Sequence, residues 1–117
     1  MKKILIVDDD EDILEAVSLI LINAGFDIAT HNTGLGVPAK VSACSPHAIL
    51  LDITLPGKRG TEVYKELIKT CDTPIIFFSA NADRGKVLAE CNAYDFISKP
   101  FDIHHLVKVI RGCVNSA

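Results

Sequence analysis

Short, largely apolar runs recur along the chain at Ile4–Val7, Phe26–Thr30, Ala48–Leu51, Pro74–Phe78 and Tyr94–Ile97. Runs this brief and this continuous fit strands buried on both faces of a parallel sheet, not the strict alternation of half-exposed strands. Between them the apolar positions change to helical spacing. Ile13, Val17, Ile20 and Leu21 share one face of a first helix, with Asp10, Glu11 and Asp12 at its electropositive start. Gly25 should end it, since glycine tolerates left-handed backbone. A second helix should begin near Pro38, where a missing N–H costs little. A third is predicted from about Gly60 to Thr70 with Val63, Leu67 and Ile68 inward. The last should run from about Asp102 to Gly112 on a stripe of Ile103, Leu106, Val107 and Ile110. Asp83 to Cys91 carries a weaker stripe (Val87, Leu88, Cys91) and contains Gly85, so the fourth helix should be short or loose.

Strand and helix thus alternate five times without a repeat, a linker or a low-complexity segment. The expected fold class is α/β, a (βα)5 doubly wound parallel five-stranded sheet with helices on both faces. One domain is expected across residues 1–117, with no effector domain in this chain. In such sheets ligands bind beyond the carboxyl ends of the strands, so functional residues should directly follow the apolar runs.

Composition narrows the classes. With 49% hydrophobic and 23% charged residues the chain can build a core and is not disordered. A net charge of −3 does not favour binding to nucleic acid or to an anionic membrane surface. No apolar run is long enough to span a bilayer, and Met1-Lys2-Lys3-Ile4 does not open a signal peptide. Cys44, Cys71, Cys91 and Cys113 are widely spaced and form no metal or redox pair, which suits reduced thiols in the cytoplasm.

The strand ends carry the chemistry. Asp8, Asp9 and Asp10 follow the first run, Asp52 the third, Ser79 the fourth and Lys99-Pro100 the fifth. Asp10 belongs to the start of the first helix. Two carboxylates at about 4 Å repel by roughly 4 kcal/mol at an effective dielectric near 20, and a third adds to that. Lys99 offsets only part of it. A hard divalent cation, magnesium or manganese, answers better, because the donors are oxygen alone. Such an ion would also let an anionic phosphoryl group approach, with Asp52 as nucleophile forming an acyl phosphate and Lys99 and Ser79 contacting its oxygens.

Ile4-Leu5-Ile6-Val7-Asp8-Asp9-Asp10, Leu50-Leu51-Asp52-Ile53-Thr54-Leu55-Pro56 through Gly60, Ser79-Ala80 and Lys99-Pro100-Phe101, taken in order, resemble the receiver domains of bacterial two-component response regulators. The resemblance covers essentially the whole chain and implies the flavodoxin-like receiver architecture. It implies an acidic pocket of Asp8 and Asp9, with Asp9 a direct magnesium ligand and the Thr54 carbonyl completing the site. It implies that Asp52 takes its phosphoryl group from a phosphohistidine on a histidine kinase or phosphotransfer protein, and that a downstream protein or effector domain reads the result. Ser79 and Phe96 would form the switch, and the Lys99–Pro100 bond would be cis. On this reading the chain is not an enzyme beyond self-phosphorylation and autodephosphorylation, and it makes no direct contact with nucleic acid or membrane. Two departures stand out: Asn92 occupies a position where the family has glycine, and the stretch from Ser79 to Lys99 is about two residues short.

Three other readings compete. A metal-dependent aspartyl-phosphate phosphatase needs a second carboxylate two positions after its nucleophile. Asp52 is followed by Ile53 and Thr54, although Asp8 and Asp10 have that spacing. A flavodoxin-like electron carrier would find its cofactor phosphate repelled by the aspartates of the first loop. An interaction module working without phosphorylation would not need every pocket residue that this chain retains.

Overall fold

A computed structural model describes residues 1–80 and 84–115. Ten elements alternate: β1 (Lys3–Val7), α1 (Glu11–Asn23), β2 (Asp27–His31), α2 (Val37–Cys44), β3 (Ala48–Leu51), α3 (Gly60–Leu67), β4 (Ile75–Ser79), α4 (Arg84–Glu90), β5 (Asp95–Ser98) and α5 (Ile103–Asn115). The strands form one parallel sheet in the order β2-β1-β3-β4-β5. Each predicted strand appears within one residue of its expected bounds.

The reason lies in burial on both faces. β3 and β4 are buried at every position and β1 at all but its first residue, while the edge strand β2 is half-exposed. Odd and even strand positions feed two separate cores. Ile4, Ile6, Leu50, Ile76 and Phe78 pack under α1 and α5. Leu5, Val7, Ile49, Leu51 and Phe77 pack under α2, α3 and α4. The sheet therefore holds its register through side chains on both sides, and a one-residue slip would exchange the two sets.

The helix ends follow their local chemistry. Asp10 caps α1 by accepting hydrogen bonds from the Asp12 and Ile13 N–H groups at 2.9 and 3.3 Å. Gly25 follows α1 with φ +96°. Pro38 lies in the first turn of α2. All four cysteines are free thiols, two buried and two half-buried.

Several expected faces need correction. α3 stops at Leu67, so Ile68 is its C-cap and 54% exposed, and Tyr64 takes the inward place instead. Ile103 opens α5 and is 53% exposed; burial starts one turn later at Leu106 and continues through Val109, Ile110 and Cys113. On α1 the buried residues are Leu14, Val17 and Leu21, with Ile13 and Ile20 partly buried against the same core. α4 is short, as its weak stripe predicts; it buries Val87 and leaves Leu88 exposed, and its expected first residue, Asp83, lies outside the described residues. Asn92 does not use its tolerance of positive φ; among the described non-glycine residues only Ser45, at the end of α2, has it. The Lys99–Pro100 bond is cis, as expected.

Candidate functional site

The strand order reverses direction between β1 and β3, the point at which doubly wound sheets leave a crevice for a ligand. Register fixes what stands there. Val7 pairs with Leu51, so Asp8 and Asp52 leave the sheet side by side, and the Asp52 N–H donates to the Val7 carbonyl at 2.9 Å. Ser79 pairs with Ser98, and the Lys99 N–H donates to the Ser79 carbonyl at 3.0 Å, which brings the fifth strand's lysine to the same end.

A cavity of about 240 Å³ opens at this point, lined by Asp8, Asp9, Asp10, Asp52, Thr54, Ser79, Ala80 and Lys99. Asp8, Asp52 and Ser79 are the buried polar residues among those described, while Asp9 is exposed at the mouth. One carboxylate oxygen each from Asp8, Asp9 and Asp52 lies within 4.8 Å of the others. Oxygen-only donors at that separation form an acidic cluster of a kind that can hold a metal ion.

The charges are partly balanced inside the protein. Lys99 Nζ lies 2.6 Å from Asp8 Oδ2 and 3.7 Å from Asp52 Oδ2. The second Asp8 oxygen accepts from the Asp10 N–H at 3.0 Å, so Asp8 is held on both sides. Asp52 is less well served. The Thr54 N–H donates to its Oδ1 over a long 3.3 Å. Burial, and next the neighbouring Asp8 charge, push its carboxyl up from 3.8 to about 6, against the opposing pull of Lys99 and the Thr54 and Ile53 amides. Asp52 is thus the less compensated of the two buried acids in the cluster.

All six residues expected at the phosphoryl and metal site converge here. Phe96, the expected switch aromatic, does not line the cavity; it is buried in the core under α4, paired across the ladder with Phe77. Asp10 does line it, although its Oδ1 is engaged in capping α1. Sequence reasoning missed Phe78, whose ring lies 4.8 Å below the Lys99 ammonium and 5.2 Å from the Phe101 ring. Alternation along β4 could have found it, since the residue before Ser79 must face the opposite side of the sheet.

Fold and site together define a phosphoacceptor switch domain of two-component signalling. Residues 4–111 match the family model of the response regulator receiver domain, and the chain belongs to that family. It is 35% identical over 113 residues to the DNA-binding response regulator MtrA of Mycolicibacterium paratuberculosis, which covers 95% of this chain and 50% of that protein. It is 36% identical over 114 residues to a CpxR homologue of Haemophilus influenzae, a transcriptional regulatory protein, with 96% and 50% covered. The chain spans about half the length of these curated relatives. Among solved structures, chemotaxis protein CheY4 of Vibrio cholerae superposes with a TM-score of 0.86 at 28% identity, covering 95% of this chain and 97% of that one.

Proposed function

We propose that Asp52 is the phosphoacceptor and that Asp8, Asp9, Asp52 and the Thr54 carbonyl hold magnesium or manganese beside it. The observation that carries this reading is the meeting of three carboxylates from two strand ends around one pocket that also contains Lys99. The donor set fits a hard cation, and when bound it would neutralise charge on a transferring phosphoryl group. An Asp52 oxygen attacks phosphorus, the bond from phosphorus to the donor's imidazole nitrogen breaks, and the electron pair returns to that nitrogen. Lys99, already 3.7 Å from Asp52, would turn from Asp8 toward a phosphoryl oxygen, and Ser79 would donate to another. Ser79 and Phe96 would then carry the change to the surface beside β5 and α5, biasing two pre-existing states.

The donor is a histidine kinase or phosphotransfer protein, and the output is a downstream protein or effector domain. The domain itself contacts neither nucleic acid nor membrane on this reading; among the described residues no helix is long and apolar enough to cross a membrane. Its only chemistry is gaining and losing its own phosphoryl group in the cytoplasm. Turnover of external monoesters is disfavoured, because Asp10, at the spacing of a general acid from Asp8, is engaged at the helix cap. Incubation with a small-molecule phosphodonor, with and without magnesium, tests the proposal by intact mass. Addition of one phosphoryl group only with magnesium, and none in Asp52→Asn, is expected. Undiminished labelling of that variant would refute the assignment.

A further inference from the structure

The segment from Asp52 to Gly60 supplies both the nucleophile and a main-chain metal ligand, so something must hold its backbone still. Its two ends are fixed to the sheet and to α3: the Asp52 N–H bonds to Val7, and the Gly60 N–H donates to the Ile53 carbonyl at 2.8 Å. Its middle is held from another loop. The Pro56 carbonyl accepts two hydrogen bonds from the connection between β2 and α2, from the Gly34 N–H at 3.0 Å and from the Thr33 hydroxyl at 3.1 Å.

That donor loop is itself braced. Thr33 Oγ1 also accepts from the Leu35 N–H at 3.2 Å, and the Leu35 carbonyl lies 2.6 Å from His31 Nε2, at the end of β2. The two loops meet backbone to backbone, because any side chain at Gly34 would run into the Lys58 carbonyl oxygen. Pro56 is two residues beyond Thr54. Two hydrogen bonds on its carbonyl therefore restrict the peptide units next to Thr54, which lines the cavity.

We infer that Thr33 and Gly34 are positioning residues for the divalent-cation site, setting its affinity through Pro56 without touching the cation. The inference rests on reading the acidic cluster as a metal site. It parallels the general finding that groups orienting metal ligands govern affinity nearly as strongly as the ligands themselves.

The test is a magnesium chloride titration of the unphosphorylated protein, followed by backbone amide NMR shifts of Asp9, Asp52 and Thr54. Thr33→Val keeps the shape and removes the donor, and is expected to weaken magnesium about tenfold. Thr33→Ala should do the same, which covers the case of one variant folding poorly. Thr33→Ser, which keeps the hydroxyl, should restore binding to the wild-type value. Thr70→Val removes a similar hydroxyl-to-carbonyl bond, to Leu67 at the far end of α3, and should leave magnesium affinity unchanged. Wild-type affinity in folded Thr33→Val or Thr33→Ala, while the parent binds magnesium, overturns the positioning role alone. Failure of the parent protein to bind magnesium overturns the metal reading and this inference together.

Discussion

The two ends of the sheet differ in a way that size alone would misjudge. At the amino ends of β4 and β5 a cavity of about 600 Å³ is lined by Tyr64, Ile68, Cys71, Asp72, Asn92 and Tyr94 among others. At the carboxyl ends the cavity is only about 240 Å³, yet it holds the three clustered carboxylates and a lysine. The larger space contains one acid, Asp72, exposed and in no carboxylate cluster among the described residues. Parallel strands explain the contrast. Every strand delivers its next residue to the same end, and there register, not volume, determines which groups meet.

The sharpest way to break this comparison is to remove Lys99, the one cation among the acids in the described residues. Lys99→Met should leave Asp8 and Asp52 buried without a counter-charge, at a cost of about 3 kcal/mol in a divalent-free buffer. Urea unfolding measures it. Tyr94→Ala at the other end removes a side chain that is 46% exposed and should cost about 1 kcal/mol or less. Equal losses at the two ends would mean that the acidic end stores no special electrostatic tension.

A second test uses pH. The Asp52 carboxyl is raised from 3.8 to about 6 in the folded state, so between those values the native protein binds more protons than the unfolded chain. Stability from this group is fully present below pH 3.8 and is lost as pH rises through 6. Asp52→Asn should therefore be more stable than the parent at pH 7 by about 3 kcal/mol without divalent ions. The advantage should shrink toward acid and disappear near pH 4. Magnesium should narrow the gap by stabilising the parent. An Asp52→Asn protein no more stable than the parent at pH 7 would mean that Asp52 is better compensated than its surroundings indicate.

These electrostatic details were only partly legible in the sequence. The strand ends were, because Val7, Leu51, Phe78 and Ile97 each close an apolar run, and the polar residues that follow gather at one end of the sheet, with Ser79 and Ser98 forming its last β4–β5 pair. The pairing of Lys99 with Asp8 in preference to Asp52 was not, since it depends on ångström differences between two acids that sequence treats alike. Ile68 and Ile103 were misread for a simpler reason. Helical periodicity assumes a helix that continues, and both residues sit at a helix terminus, more than half exposed. The hold of Thr33 and Gly34 on Pro56 joins two loops with no periodic signal in either.

Asp10 provides the smallest and most discriminating test, because it lines the acidic cavity and yet serves a helix. Its Oδ1 accepts from the Asp12 and Ile13 amides, the usual work of an N-cap, and its own N–H supports Asp8. Asp10→Ala should lower stability by about 1 kcal/mol, and Asp10→Ser, which keeps a capping oxygen, should recover most of that. Because the Asp10 amide survives both changes, the hold on Asp8 should survive too. Phosphoryl labelling should then stay within about twofold of the parent in both variants, given that a cap influences only its own first turn. If labelling instead fell in step with the lost charge, Asp10 would have to be counted with Asp8 and Asp9 among the groups that gather the cation.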